Sequence, residues 1–314
     1  MVRGMTKRFS IVALLSLFSW FVVSCGNDGG TIGLANSIQG GSEGEAIYQK
    51  AKSLDDAGKP DKALKFYAEV ADDFSMSPSA GQARFRQAEI LEQQGETLQS
   101  FKAYQKFLQR YQGSNLYSKA LNSQVRITQA AADGKVKSSF IGLKSKLSTK
   151  QIVEMLAQLR DNAPRSEISA NAQFKIGQLH ESEKDYKESI EAYRKLVRDQ
   201  PETKQAAEAL FQVGVVFLAQ ADDGNHNQAT LDLASEALND YLLQYPGHSK
   251  NAEARKLLEN LKGRDLDSSL QIAKFYDRTG QYESAKVYYR DIVKSSKSGS
   301  AHEYAKKRLK ELGE

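Results

Sequence analysis

The chain has 314 residues, 40% of them hydrophobic and 26% charged, with only five prolines, a make-up that reads as a soluble, helix-rich protein and excludes a disordered one. Its formal charge of +5 shrinks to 41 basic against 39 acidic residues once Arg3, Lys7 and Arg8 of an expected leader are set aside, so no concentrated basic face argues for nucleic acid. A single cysteine excludes an internal disulfide and a cysteine-type metal cluster.

Residues 1–24 read as a secretion signal: Met1 to Arg8 are basic, Phe9 to Val23 are almost wholly apolar, and Ser24 is a small residue before the only cysteine. An apolar run of this length is short for a membrane span, which needs about 20 residues. Val22-Val23-Ser24-Cys25 resembles the bacterial lipobox, and the resemblance implies cleavage before Cys25 with lipid on its sulfur and on the new amino terminus. Each buried methylene contributes about 0.8 kcal/mol, so two or three acyl chains hold a protein at a bilayer where one does not. Gly26, rather than aspartate, follows the cysteine, which in lipoproteins of this kind favours the outer membrane. Residues 25–44 then read as a tether, because seven glycines among small and polar residues show no apolar period.

From Glu45 to Glu314 one pattern recurs. A small residue is followed four places later by an aromatic at Ala63 and Tyr67, Ser100 and Tyr104, Ser189 and Tyr193, Ala237 and Tyr241, and Ala285 and Tyr289. A weaker copy uses Ile152 and Leu156. Upstream of each pair lies a second helical pattern, carrying Ala51, Ala88, Gly177, Gly214 and Ala273, and Gly58, Gly95 and Gly280 mark breaks between the two. Pro164, Pro201 and Pro246 close second helices, where proline cannot continue the turn. Small residues permit close helix crossing and the aromatics fill the space beside them, so this is a string of helical hairpins. A hairpin of this size must stack on another copy to bury its apolar face. The expected fold is all-α, a solenoid of about five to six hairpins.

Taken in order, helix Glu45 to Ala57 pairs with one opened by Pro60, and Ser79 to Gln94 pairs with Thr97 to Tyr111. Lys119 to Ala131 opens the third hairpin. The register then lapses across Gly134 to Lys150, a basic insertion with Lys135, Lys137, Lys144, Lys146 and Lys150 and no acidic residue; it reads as a solvated connection, or else a loop that meets a partner or lipid. Thr149 is the expected cap of the helix that restores the register. A fourth hairpin spans Ser169 to Gln200 and a fifth starts near Lys204, with a plain polar loop at Ala221 to Gln228. An additional helix, about Lys250 to Lys262, precedes the final hairpin, and Ala301 to Leu312 is the charged end helix that an array terminus requires.

Catalytic parts are not legible. His180, His226, His248 and His302 show no helical metal spacing, and there is no nucleophile elbow, phosphate loop or cysteine pair. No catalytic residue, metal or cofactor is therefore expected. The tyrosines fall on packing positions and read as core. The working surface of a solenoid is the concave face made by first helices, where Lys52, Arg84, Gln87 and Arg126 are candidates to hold an extended peptide or its carboxylate end.

The order Gly-x-Tyr-x-x-Ala-x-x-x-Tyr at Gly280 to Tyr289 resembles the tetratricopeptide repeat, which is specific for fold and silent about function. A lipobox, a glycine tether, repeats reading Ala-x-x-x-Tyr-x-x-x-Leu-x-x-Tyr-Pro and the segment Ile272 to Tyr282 after an extra helix together resemble the BamD family of outer-membrane lipoproteins. That resemblance implies a periplasm-facing scaffold without turnover, anchored through Cys25, whose partners are β-barrel-assembly components or nascent outer-membrane proteins. The alternative is an envelope-organising repeat protein like those of the CpoB family of the Tol-Pal system, which usually has a coiled coil before its repeats and no lipid anchor.

Overall fold

A computed structural model describes residues 31–135, 137–140, 143–224 and 227–314. The signal, Cys25 and the first residues of the expected tether lie outside the described residues, as does His226. Among the described residues, thirteen helices form six hairpins and a final cap. The hairpins are α1 (Thr31–Asp56) with α2 (Pro60–Asp72), α3 (Ala80–Gln93) with α4 (Thr97–Arg110), α5 (Tyr117–Ala132) with α6 (Thr149–Asn162), α7 (Glu167–Ser182) with α8 (Tyr186–Asp199), α9 (Lys204–Asp223) with α10 (Gln228–Gln244), and α11 (Asn251–Arg278) with α12 (Tyr282–Ser295). The cap is α13 (Ser300–Glu311). Each helix packs on the one before and after it, and first helices also touch the next first helix, as in α1 with α3 and α7 with α9. This is the quasi-one-dimensional contact pattern of a solenoid.

The turns follow from backbone chemistry. Gly58, Gly95 and Gly280 all take the left-handed conformation, with φ of 72°, 77° and 78°, as residues that end a first helix. In the fourth hairpin Lys184 occupies that conformation at φ 62°. Pro60 sits in the first turn of α2, where its missing donor has no helical partner to lose.

Four features differ from the sequence reading. Helix α1 begins at Thr31, not Glu45, so Gly40, Gly41 and Gly44 are inside a helix. Gly44 is a packing residue, since a Cβ there would lie 2.7 Å from Cβ of Phe74. The basic insertion holds two short antiparallel strands, β1 (Lys137–Phe140) and β2 (Leu143–Lys146), with Lys137 opposite Lys146 and Phe140 opposite Leu143. The side chains of residues 136–145 lie outside the described residues. The cap of α6 is Ser148, not Thr149: Ser148 and Gln151 form a reciprocal capping box, while the Thr149 hydroxyl donates to Glu183 at 2.7 Å. Finally, the additional helix and the first helix of the last hairpin are one continuous helix, α11. The stretch between them has no proline, and its lone Gly263 costs only about 1 kcal/mol in a helix interior.

The core is divided along the axis. One cluster joins α1 to α3, a second runs from α3 to α8, a third from α7 to the first half of α11, and the last joins the second half of α11 to α12 and α13.

Candidate protein-binding groove

The groove is framed by a packing layer that repeats from hairpin to hairpin. Tyr67, Tyr104, Tyr193, Tyr241 and Tyr289 are all buried, as are Ala63, Ser100, Ala273 and Ala285. The small residues are required by contact. A Cβ on Gly177 would stand 2.5 Å from the Tyr193 ring, and one on Gly214 would stand 2.6 Å from Leu238. Ser100 and Ser189 add a hydrogen bond each, donating to the carbonyls of Ala88 and Gly177 across the crossing.

Each buried phenol needs a partner for its hydroxyl, and four find it twelve residues upstream. Tyr67 donates to Asp55 at 3.3 Å, Tyr104 to Glu92 at 3.1 Å, Tyr193 to Glu181 at 2.8 Å and Tyr289 to Asp277 at 3.1 Å. In three hairpins the same carboxylate also receives an arginine from the helix that follows the hairpin, α3, α5 or the cap α13. Arg86 donates to Asp55 at 2.6 and 3.0 Å, Arg126 to Glu92 at 3.0 and 2.7 Å, and Arg308 to Asp277 at 2.6 and 2.8 Å. One acid thus ties two helices of its own hairpin to the helix that follows them. Burial and the neighbouring carboxylates push these four phenols well above the ordinary tyrosine range. The arginine hydrogen bonds hold Asp55 and Asp277 below the usual carboxylate range. The fifth phenol, Tyr241, is 2.7 Å from Nδ1 of His248 and is pushed up to about 12, chiefly by burial.

The residues expected to line the groove are not gathered in one place. Lys52 is exposed on α1 and pairs with Asp56, one turn on. Arg84 on α3 is buried; it bonds Asp72 of α2 and donates to Gln87 at 2.7 Å, so these two meet each other within the packing layer. Arg126 on α5 is spent on Glu92. Lys52 and Arg126 do share a row along the first helices, with Glu89 between them at 37-residue steps.

That row leads to a cleft of about 410 Å³ between α5 and α7, floored by Leu156 and Leu159 of α6. Val125, Ala132, Ile168, Ala172 and Phe174 make its apolar wall; Gln129, Asn171, Lys175 and Gln178 stand at its rim. Short side chains at Val125, Ala132 and Ala172 leave the space open. The edge also carries Asp133, paired with Lys135 at 2.9 Å; an apolar floor rimmed by amides, an ammonium and a carboxylate suits an extended peptide, because amides match its backbone, the floor takes a side chain and Lys175 can meet a carboxylate. Sequence reasoning did not single out these rim residues. The two 37-residue steps from Lys52 through Glu89 to Arg126 were the available signal, although the insertion before α6 breaks the spacing one hairpin later.

Among the described residues, no three His, Cys, Asp or Glu side chains are grouped to hold a metal, and no helix is long and apolar enough to cross a membrane. His180 is half-buried beside Asp185 on α7, outside the cleft.

Comparison with known proteins adds two family matches. The tetratricopeptide-repeat profile matches residues 48–115, which cover most of the first two hairpins. The outer membrane lipoprotein profile YfiO matches residues 141–311, more than half the chain and everything from β2 to α13. No curated protein sequence matches. Among solved structures, MamA of Desulfovibrio magneticus RS-1 is 15% identical over 67% of this chain and 98% of its own, with a TM-score of 0.30. YrrB, described as a TPR protein with an unusual peptide-binding site, is 15% identical over 67% and 90%, with a TM-score of 0.32. A tetratricopeptide repeat protein from Parabacteroides merdae ATCC 43184 is 13% identical over 86% and 98%, with a TM-score of 0.28.

Proposed function

The chain belongs to the YfiO family of outer membrane lipoproteins, and on that premise we propose that it is a non-catalytic, periplasm-facing scaffold of outer-membrane protein assembly, held at the membrane by lipid on Cys25. The observation that carries this reading is the extent of the family match, which takes in the last three hairpins and the cap together. The lipobox at Val22 to Cys25 supports the anchor. The cleft between α5 and α7 is the proposed peptide site, with Lys175, Asn171 and Gln178 meeting an extended segment over the Leu156 and Leu159 floor. Such a scaffold acts by holding partners at high local concentration near the membrane, so its effect scales with anchoring and affinity rather than with turnover.

The test has two parts. Intact mass and membrane fraction of the mature wild-type protein are compared with Cys25→Ala, and the wild type is crosslinked in isolated outer membranes. A lipidated wild type that crosslinks to a barrel-assembly component, with Cys25→Ala lost from the membrane fraction, is the expected result. An unlipidated, soluble wild type would remove the anchor, and crosslinks that never include an assembly component would remove the assembly role.

A further inference from the structure

Helix α11 carries two apolar stripes. Leu266, Leu270 and Ala273 face α12 and α13, whereas Ala254, Leu258 and Leu261 face α9 and α10. The second stripe does not stop where its cover stops. At alternating steps of four and three residues it continues from Leu261 through Asp265 and Ser268 to Ile272 and Phe275. Its cover ends over Asp265, because Gln228, the first residue of α10, donates to the Asp265 carboxylate at 2.9 Å. Beyond that point Ile272 is 39% exposed and Phe275 53% exposed. Tyr276 and Tyr288, half-buried and stacked 5.7 Å apart, continue the same surface onto α12.

The array itself shows what fills this position. Ile272, Phe275 and Tyr288 occupy the places that Ile176, Leu179 and Ala192 hold in the fourth hairpin, counted from the small residues Ala273 and Gly177. There they join the core containing Ile152, Met155, Leu156 and Leu159, the apolar stripe of α6. In the last hairpin the residues before Gly263 run straight on as α11 instead of folding back over it, and α10 reaches only as far as Asp265, so this surface has no preceding second helix against it. Ser268, Ser269, Thr279 and Ser284 flank it, with the charged Asp265, Arg278 and Asp291 at its edges. Aromatic side chains with charge kept to the edges are the make-up of an interface core.

We propose that this face takes an amphipathic helix from a partner protein, seated end to end with α10 and continuing the α10–α11 interface. The uncovered stretch of α11, from Asp265 to Arg278, is about 20 Å long at 1.5 Å per residue, room for a helix of about 13 residues. The partner helix presents apolar residues at i, i+3, i+4 and i+7, as α6 does with Ile152, Met155, Leu156 and Leu159, and few charges beside them. The inference shares with the preceding section only the premise that the chain binds proteins; it does not depend on the cleft or on the identity of the assembly machine.

The experiment places a photocrosslinking amino acid at 272 or at 275 in the full-length lipoprotein in its own cells, with position 76, where Met76 is 80% exposed on a distant turn, as the control. Crosslinked residues are then mapped by mass spectrometry. The expected result is adducts from both positions to one partner, falling three, four or seven residues apart within one helical segment. Phe275→Glu should lower the position-272 adduct at least tenfold with an unchanged melting curve, while Lys175→Glu in the cleft leaves it in place. Adducts to a second copy of this chain, to phospholipid or to an extended segment overturn the proposal, as does a yield no higher than at position 76. A mapped partner helix from outside the assembly machinery supports the docking face while removing the assembly role, so the two failures are distinguishable.

Discussion

Asp277 and Arg308 form a two-pronged ion pair, with Nε donating to Oδ2 at 2.6 Å and Nη2 to Oδ1 at 2.8 Å, and it repeats the Asp55 and Arg86 pair at the other end of the array with the same 31-residue separation. Both acids also accept a hydrogen bond from a buried tyrosine of their own hairpin. Asp277 is therefore a three-way junction among α11, α12 and α13. Replacing it with alanine removes the partner of a buried phenol and of a guanidinium together. Charged hydrogen bonds contribute about 1.5–3 kcal/mol each and are not additive, so Asp277→Ala should cost about 2–3 kcal/mol. Hydrogen exchange should show α13 losing protection first while α3 to α8 keep theirs; uniform loss along the whole chain would contradict a local junction.

These junctions predict an acid limb. Hydrogen bonds from Arg86 and Arg308 depress the folded pKa of Asp55 and Asp277. The stabilisation is complete above the ordinary carboxylate pKa of about 4 and is lost as pH falls through the lowered folded values. Melting temperature should hold near neutrality and drop below about pH 4. The Asp55→Asn, Asp277→Asn double variant should start lower and show a shallower acid slope; an equal slope would assign the acid sensitivity to other groups.

The phenols predict the opposite limb. Tyr67, Tyr104, Tyr193 and Tyr289 have folded pKa values raised by burial and by neighbouring acids. Their contribution is fully present below the unfolded tyrosine pKa of about 10 and is lost as pH rises toward the folded values. An ultraviolet titration should show some tyrosines ionising near pH 10 and a second group ionising only as helicity collapses. Tyr193→Phe, which strands Glu181, should cost about 1 kcal/mol at pH 7 and reduce that late phase.

The hairpins, the packing tyrosines and the helix breaks were legible in the sequence because each rests on local chemistry: a small residue at a crossing, an aromatic one turn later, a glycine with positive φ. Features set by non-local contact were not. Gly44 reads as tether until Phe74 is seen against it, and the additional helix reads as ending near Lys262 until the buried Leu261 and the half-buried Leu266 are seen packed on either side of that point. Arg84 reads as a groove cation because its spacing says only that it lies on a first helix; the Asp72 contact that fixes its direction is carried by the preceding hairpin. The cleft was hidden for the same reason, since its floor comes from α6 and its walls from α5 and α7.

Two glycine positions separate the causes of helix crossing from those of helix ending. At Gly177 the obstacle is steric: the Tyr193 ring leaves no room for a methyl group, and overpacking of this kind costs about 1–3 kcal/mol. At Gly95 there is open space, with nothing within 4 Å of an added Cβ, but φ is 77°, and a left-handed residue with a side chain costs about 1–2 kcal/mol. Gly177→Ala should therefore be rescued in part by Tyr193→Leu, which frees volume beside it, whereas Gly95→Ala should gain nothing from trimming any neighbour. Chemical denaturation of Gly177→Ala, Gly95→Ala and Tyr193→Leu, and of each glycine variant combined with Tyr193→Leu, decides the matter. A Gly177→Ala deficit that Tyr193→Leu leaves untouched would mean that the backbone of α7, not the ring packed on it, demands glycine there.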